Sequence, residues 1–256
     1  MKKWFAATLL VILLTAREAL CNLSVSPFYL EFDALSQKRA DIVRLTNSSN
    51  EEKTYRIKLV HFIQNKDGSY AEVDAPHPDS LFAAPHLDFA PRETTLAAGQ
   101  SQTIRIQRRP MPTAPDGEYV AHLLIQEQSG AFPKQAGAPE KGLTIDIRAV
   151  YGITIPIIIT KGNLSQTATI KSVKLTRLQD QPIAEVSIAR KGTRSFFGTI
   201  IVSQGKKEIG RVNNFRIFLS SPERTLKVPL TQEPSGKIGI ILQDERKHEI
   251  LSEKYL

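Results

Sequence analysis

The sequence has a single cysteine among its 256 residues, Cys21, and only one long apolar run, residues 4–16. One cysteine excludes an intramolecular disulfide and a zinc site built from several thiolates. The apolar run is shorter than the roughly 20 residues that span a bilayer, but with Lys2 and Lys3 before it, it has the build of a signal peptide. The sequence therefore predicts an exported protein, no cytosolic enzyme, and no membrane insertion of the mature chain.

The signal peptide is predicted to comprise residues 1–21. Ala19 and Cys21 stand at the two small-residue positions of a cleavage site, so cleavage before Asn22 would remove the cysteine as well. A lipidated Cys21 is the alternative, although Leu20 is bulkier than such sites usually accept. Because the leader holds three basic residues and one acidic residue, its loss lowers the net charge from +8 to +6, a modest bias toward acidic partners.

The common catalytic and phosphate-binding motifs are also missing. There is no Gly-x-Ser-x-Gly elbow, no phosphate loop and no His-Glu-x-x-His helix. His77 and His86 flank a proline-rich loop near Asp79 and Asp88, but without ligand spacing on a regular element, so a metal site there is the less favoured interpretation. We predict a protein that is not an enzyme and has no cofactor, with an exported hydrolase on a sandwich scaffold as the weakest alternative.

The densest basic segment, residues 105–109, does not have the pattern of a nucleic-acid site. Strand alternation places Ile104 and Ile106 inward and Arg105 and Gln107 outward, and few aromatic residues accompany them. A solvated strand is the better interpretation, and we predict no nucleic-acid partner.

Alternation of apolar and polar residues with a period of two dominates the chain. Residues 55–59, Tyr-Arg-Ile-Lys-Leu, show the pattern of a strand with one buried face. Similar short runs separated by turn residues recur about fourteen times, and no window has the pattern of a three-turn amphipathic helix. We therefore predict an all-β fold of two β-sandwich domains in tandem, residues 22–160 and 161–256, each with about seven strands.

The alternation changes phase at Pro27. Before it the apolar residues stand at odd positions, Leu23 and Val25, and after it at even positions, Leu30 and Phe32. A change of phase turns the other face of a strand inward, so the first strand is predicted to pair with both sheets of its sandwich.

Residues 143–151 form the most regular apolar strand pattern, and they follow a loop, residues 129–142, that contains two prolines and three glycines. Large apolar side chains alternate on one face of this strand, and they are Leu143, Ile145 and Ile147. An ordinary core strand is one interpretation. The other is an edge strand whose main chain pairs with another protein and whose apolar side chains fill a groove in that partner.

Several short segments, in this order after a signal peptide, resemble the PapD-like periplasmic pilus chaperones. They are Ser24-Val25-Ser26-Pro27-Phe28-Tyr29-Leu30-Glu31-Phe32, Pro91 followed by Leu96-x-x-Gly99 and Thr103-Ile104-Arg105-Ile106, Asp116-Gly117-Glu118-Tyr119-x-x-His122-Leu123, Arg148-x-x-Tyr151, and Ile155-Pro156. The resemblance covers residues 22–160, whereas the second domain matches only in length and strand content.

This resemblance implies two immunoglobulin-like domains at an angle, located in the periplasm. A member of the family lends its own strand to a pilus or fimbrial subunit that lacks one, and delivers it to an outer-membrane usher. Leu143, Ile145 and Ile147 would lie on the lent strand, and Arg148 would anchor the subunit's C-terminal carboxylate. A structural or adhesive two-domain β-sandwich protein at the cell surface is the alternative, since it shares every composition feature but needs no loop beside an apolar edge strand.

The sequence departs from the family at the second carboxylate anchor. The family has an arginine on the first strand, just after the position of Pro27, whereas this chain has Phe28 or Tyr29 there. Neither side chain forms an ion pair with a carboxylate. The departure indicates a divergent branch, a different carboxylate partner or a chaperone-like protein with another client. Arg44 or Lys58 could replace the arginine in space, but the sequence does not decide this.

Overall fold

A computed structural model describes residues 23–74, 81–128 and 152–256. The regular secondary structure of the described residues consists of strands, apart from one short 3-10 turn at Ala84–His86. Over the same ranges, no helix has the length and apolar character needed to cross a membrane. The prediction of an all-β fold is confirmed.

Strands before residue 162 pair only with one another in the described ranges, and we call this part the first sandwich. Its strands are β1 (Leu23–Ser26), β2 (Leu30–Asp33), β3 (Ala40–Asn47), β4 (Lys53–Val60), β5 (Phe62–Gln64), β6 (Tyr70–Glu72), β7 (Leu81–Phe82), β8 (Leu87–Ala90), β9 (Glu93–Leu96), β10 (Ser101–Arg108), β11 (Gly117–Glu127) and β12 (Gly152–Lys161). One sheet has the order β1-β3-β10-β8. The facing sheet has the order β2-β12-β11-β4-β9, with β7 added to β11, and β5-β6 is a separate hairpin.

The core of the first sandwich lies between these two sheets because alternate side chains on each strand face inward. On β10, Ile104 and Ile106 are fully buried, whereas Arg105 and Gln107 are exposed. The interpretation of the basic segment as a solvated strand is therefore confirmed for Arg105 and Gln107. It is wrong for Arg108, which lies in the same strand but is buried, with its guanidinium donating to the carbonyls of Ser36 and Arg109.

The remaining strands form the second sandwich, again paired only with one another in the described ranges. They are β13 (Gln166–Leu178), β14 (Gln181–Gly192), β15 (Phe196–Gln204), β16 (Lys207–Ile217), β17 (Glu223–Pro229), β18 (Ile238–Asp244) and β19 (Glu249–Tyr255). The sheets have the orders β13-β14-β17 and β16-β15-β18-β19. Both enclose a core of buried aliphatic residues and the paired rings of Phe196 and Phe215.

The change of phase at Pro27 corresponds to a change of sheet. β1 pairs antiparallel with β3, and after Pro27 β2 pairs in parallel with β12 in the facing sheet. Leu23, Val25, Leu30 and Phe32 are all buried in the same core, because the strand approaches it first from one sheet and then from the other. This prediction from the sequence is confirmed.

The hairpin β5-β6 extends from the first sandwich onto the second. The side-chain amide of Gln64 donates to the backbone carbonyl of Arg216 at 3.2 Å and accepts from the backbone N–H of Phe218 at 3.1 Å. It therefore pairs with the backbone of residues 216–218 as a neighbouring strand would. Phe218 also packs against Val120 and Ile158, on the outer face of β11 and β12. The outer face of this sheet is therefore the surface on which the second sandwich sits.

Candidate functional site

The residues that the sequence singled out for binding lie outside the described residues. This applies to the predicted lent strand with Leu143, Ile145 and Ile147, and to the predicted carboxylate anchor Arg148. Their roles stay predictions. The described part of the site begins at Gly152, where the same chain segment continues as β12.

The first half of β12 has a sheet edge with no partner among the described strands. β12 pairs with β11 over its whole length, from Gly152 to Lys161. On the other side β2 pairs only with Ile157–Thr160, so no described strand covers residues 152–156. Such an edge offers unpaired main-chain donors and acceptors to a further strand.

A cleft of about 740 Å³ lies beside this edge, between the two sandwiches. Its first wall is the turn from β1 to β2, together with Tyr70 and Pro156. Its second wall comes from β15, β16 and β17. The residues lining it are Ser26, Pro27, Phe28, Tyr29, Tyr70, Pro156, Phe197, Val212, Asn213, Asn214, Phe215, Arg216, Phe218 and Arg224. Pro156 belongs to both the cleft and the open edge, so the two surfaces are continuous.

Arg216 is the central cation of this cleft. Its guanidinium carbon lies 4.4 Å from the centroid of the Tyr29 ring and 4.3 Å from that of Phe197, so the group is held between two aromatic faces. The residue is only 7% exposed, and neither terminal nitrogen has a hydrogen-bond partner in the described residues. A buried guanidinium without acceptors is costly, which makes it a strong candidate to receive an anion.

Glu31 supplies the carboxylate nearest to Arg216, and it shares that carboxylate with two further arginines. Its oxygens form an ion pair with Arg194, lie 3.6 Å from Nη2 of Arg246, and lie 4.0 Å from Nη2 of Arg216. Burial raises the pKa of Glu31, but Arg246, Arg194 and Arg216 together outweigh it and hold that pKa below its ordinary value. Of these four side chains only Arg216 lines the cleft, and with Arg224 it gives the cleft two guanidinium groups.

Burial and the nearby Arg246 lower the pKa of the Arg216 guanidinium, while Glu31 opposes them. An arginine nevertheless keeps its charge at neutral pH, because its ordinary pKa is far above 7.

Arg224 places a second guanidinium in the cleft. It lies on β17 and donates from Nη1 to the carbonyl of Arg216 at 2.6 Å, while its Nε is buried and has no partner in the described residues. The hairpin β5-β6 passes close to it, since a Cβ atom on Gly68 would lie 2.8 Å from the guanidinium. The two cations are therefore contributed by neighbouring parts of the second sandwich.

The structure does not bring Arg44 or Lys58, the two possible substitutes for the family's first-strand arginine, to the cleft. Arg44 is exposed on β3 opposite Ser26, and Lys58 is exposed on β4 with its ammonium 3.4 Å from Glu72. Neither residue lines the cleft. The cation beside Tyr29 is Arg216, which sequence reasoning missed.

Sequence reasoning had one signal for Arg216. It stands inside the run Phe215-Arg216-Ile217-Phe218, where all four residues are buried. A charged residue within so apolar a run is rarely buried without a partner or a role.

Glu118 joins the two sandwiches on the other side of the cleft. It is fully buried at the start of β11 and accepts hydrogen bonds from the amide of Ser195, at 3.0 Å, and from the Ser195 hydroxyl. Burial raises the pKa of Glu118, while the bonds from Ser195 lower it, and the net direction is upward. Glu118 lies in β11 of the first sandwich and Ser195 directly precedes β15 of the second, so these bonds connect the two sandwiches.

A smaller pocket of about 140 Å³ adjoins the cleft where Tyr70 and Pro156 meet. It is lined by Phe62, Tyr70, His122, Thr154 and Pro156. The His122 ring lies edge-on to both Phe62 and Tyr70, with centroids 5.3 and 6.0 Å apart. We call this space the His122 pocket.

His122 itself is buried, with 3% of its surface exposed, and neither ring nitrogen has a hydrogen-bond partner in the described residues. Burial, followed by repulsion from His61, lowers the pKa of His122 to about 3. The imidazole is therefore neutral at neutral pH, with one nitrogen donor and one nitrogen acceptor.

The less favoured metal interpretation receives no support in the described ranges. His77 and Asp79 lie outside them. His86 packs against Tyr119, and Asp88 pairs with Arg109. Among the described residues, no group of three or more His, Cys, Asp or Glu side chains is arranged to hold a metal ion.

No protein-family model and no curated protein matches this sequence. Solved structures do match over most of the chain. A chain from the chaperone–tip adhesin complex of CFA/I fimbriae is 17% identical with a TM-score of 0.47, over 92% of this chain and 97% of its own. The class 5 fimbriae chaperone CfaA is also 17% identical, with a TM-score of 0.44 over 92% and 98% of the two chains.

A third match comes from the CsuC–CsuE chaperone–tip adhesion subunit complex of Acinetobacter baumannii. It is 14% identical and has a TM-score of 0.45, over 91% of this chain and 96% of that one. In each of the three comparisons, more than nine-tenths of both chains is aligned.

Proposed function

We propose that this protein is a non-enzymatic periplasmic chaperone that binds a pilus or fimbrial subunit by strand addition and passes it to an outer-membrane usher. The observation that carries the proposal is the open edge of β12, which leads directly into a positive, aromatic cleft. In strand addition, main-chain hydrogen bonds supply affinity and alternate side chains supply register. An open edge beside an anion-binding cleft is suited to an extended segment that ends in a carboxylate.

The predicted lent strand is adjacent in the chain to the open edge of β12. Leu143, Ile145 and Ile147 directly precede β12 in the chain, and their alternation matches a strand with one apolar face. A client strand paired with the edge at residues 152–156 would continue along this segment. The proposal includes the division of the mature chain into residues 22–160 and 161–256, with the cleft between them.

Arg216 takes, in this proposal, the role that the resemblance gives to an arginine on the first strand. Tyr29 stands near that position in the sequence, and the Arg216 guanidinium lies against its ring at 4.4 Å. Guanidinium groups bind carboxylates through two parallel hydrogen bonds. The terminal nitrogens of Arg216 form no hydrogen bond in the described residues, and Glu31 lies 4.0 Å from Nη2. Arg224, and Arg148 as predicted from the sequence, would complete a cationic end to the groove.

The main test of strand addition is a charge on the apolar face of the lent strand. We expect Ile147→Asp to lower client binding by at least about 100-fold, because a buried unpaired carboxylate costs several kcal/mol. Ile145→Asp should behave alike, whereas Thr144→Asp, on the opposite face, is the matched control. The measurement is capture of exported subunits by the tagged protein from its native periplasm, identified by mass spectrometry, with circular dichroism to verify folding.

Equal capture by folded Ile147→Asp and wild-type protein would overturn strand addition. Recovery of the protein alone, or as a homopolymer at the cell surface, would favour the structural or adhesive alternative instead.

The carboxylate anchor is tested by removing the charge of Arg216. We expect Arg216→Gln to weaken binding of a peptide with the client's C-terminal sequence by about 10-fold, as for loss of one charge-assisted hydrogen-bonded pair. Arg211→Gln is the control, since Arg211 is exposed on the same strand and pairs with Glu208. C-terminal amidation of the peptide should have no further effect on the Arg216→Gln variant, and a full additional loss would contradict this assignment.

A further inference from the structure

The His122 pocket lies directly beside the open edge of β12. Thr154 and Pro156, which line the pocket, belong to the part of β12 that no described strand covers on its outer side. In a sheet, directly opposed side chains of neighbouring strands are about 5 Å apart on the same face. A strand added at this edge would therefore place one of its side chains over the pocket, which makes the pocket a potential determinant of client sequence.

The size and lining of the pocket correspond to one aromatic ring. Its volume of about 140 Å³ is close to the ~150 Å³ of an engineered cavity that holds a benzene molecule. Three of its lining residues carry aromatic rings, and the rings of Phe62 and Tyr70 already pack edge-on against His122. Edge-to-face packing is the arrangement that a further aromatic ring would extend.

Its polar chemistry corresponds to a hydroxyl group on that ring. The neutral imidazole of His122 has one donor and one acceptor nitrogen, and neither has a partner in the described residues. Leaving such groups unpaired in a buried position is unfavourable, so an occupant that hydrogen-bonds to the imidazole is preferred over one that does not. A phenol combines the ring with a group that both donates and accepts.

We propose that the His122 pocket binds a tyrosine side chain of the client's added strand, with the phenol hydroxyl hydrogen-bonded to the imidazole of His122. This inference rests on the proposed strand addition for the identity of the client, but the preference of the pocket for a phenol does not. The exposed positions of Tyr70 and Thr154 at its rim make the pocket reachable from solvent.

The pocket is tested first without any client, using p-cresol and toluene as probes for the full mature chain. We expect p-cresol to bind about 3- to 10-fold more tightly than toluene, as one net hydrogen bond requires. His122→Phe keeps a ring but removes the nitrogens, so it should abolish this preference. The measurement is ligand titration followed by NMR, with the nitrogen signals of His122 reporting a tautomer shift that only p-cresol produces.

Thr154→Phe is the second variant, because it fills the pocket from an exposed rim position where folding is not at risk. It should block both probes, and it keeps the proposal testable if His122→Phe does not fold. Equal binding of p-cresol and toluene to the wild type would overturn the role of the hydroxyl. Binding of p-cresol that Thr154→Phe leaves unchanged, or no binding of either probe, would overturn the pocket itself.

A client identified through the Ile147→Asp comparison then separates this inference from the proposed function. Changing the matching client tyrosine to phenylalanine should weaken binding by a similar 3- to 10-fold. Loss of binding in Ile147→Asp together with no effect of this client change would retain strand addition and reject the tyrosine pocket. A preference for p-cresol in a protein that captures no client would retain the phenol-binding pocket and reject strand addition.

Discussion

Two regions of the contact between the sandwiches differ in the polar groups that they bury. In the ionic region, Glu31 faces three arginines and Glu118 accepts two hydrogen bonds from Ser195. In the aromatic region, His122 is surrounded by Phe62, Tyr70 and Phe218, and its two nitrogens have no partner in the described residues. The first arrangement connects the sandwiches, whereas the second leaves hydrogen-bonding capacity beside an open strand edge.

The two regions are expected to affect different properties, the stability of the fold and the binding of a ligand. Paired buried groups cost little in the folded protein, and their removal leaves their partners unsatisfied. An unpaired buried polar group destabilises the free protein. This cost is removed only when a ligand supplies the missing hydrogen-bond partner. Loss of the Glu31 carboxylate should therefore destabilise the fold, while substitution of His122 should change ligand preference and the response of stability to pH.

The largest expected effect is the loss of stability on acidification caused by His122. Its pKa is about 3 in the folded protein and 6.5 ordinarily, so below pH 6.5 the unfolded chain binds the proton first and stability falls as the pH falls. Between pH 8 and pH 5 this amounts to about 2 kcal/mol. The measurement is urea unfolding at both pH values, in which His122→Phe should lose about 2 kcal/mol less than the wild type.

A pH dependence that is identical in His122→Phe and the wild type would mean that His122 is paired or solvated, and would remove the contrast between the regions. The measurement between pH 5 and pH 8 stays above the pH at which Glu31 takes up a proton. Because the pKa of Glu31 is depressed, its contribution is present above its ordinary pKa of 4.5 and is lost only as the pH falls below that value.

The next largest effect is expected for Glu31→Gln. The change leaves Arg194, Arg216 and Arg246 without their shared carboxylate, and removal of one partner from a partly buried ion pair is destabilising. We expect a decrease of about 1 to 2 kcal/mol in the free energy of unfolding, below the value for a fully buried pair because Glu31 is partly solvated. Glu208→Gln, which removes an exposed ion pair with Arg211, should have nearly no effect in the same denaturation experiment.

The smallest effect is expected for Glu118→Gln. Burial already raises the pKa of Glu118, so removing its charge relieves a desolvation cost, while the amide oxygen still accepts from the backbone of Ser195. We expect a change of less than about 1 kcal/mol at pH 7. A loss larger than that of Glu31→Gln would show that Glu118, and not the arginine-bound carboxylate, is the main connection between the sandwiches.

The sequence predicted the strands well because β alternation is a local property. The inward positions Ile104 and Ile106 and the change of sheet at Pro27 followed from apolar residues two positions apart. The candidate site was predicted less completely. Arg44 and Lys58, the possible substitutes for the family's arginine, both face solvent.

Arg216 shows why the cleft was missed. It lies on β16, far along the chain from Tyr29, and only the packing of one sandwich on the other brings its guanidinium over that ring. The same holds for His122, whose apolar neighbours Phe62, Tyr70 and Phe218 come from a hairpin and from the second sandwich. The alternation of apolar and polar residues along a strand carries no information about contacts between residues that are far apart in the sequence.

The sequence by itself determined the all-β class, the faces of the strands and the apolar alternation of the predicted lent strand, because these depend on neighbours along the chain. Only the tertiary structure decided where β12 has an open edge, which cations line the cleft, and which polar groups are paired. The physical reason is that desolvation and hydrogen bonding depend on every group within a few ångströms, and in this protein those groups come from two separate sandwiches.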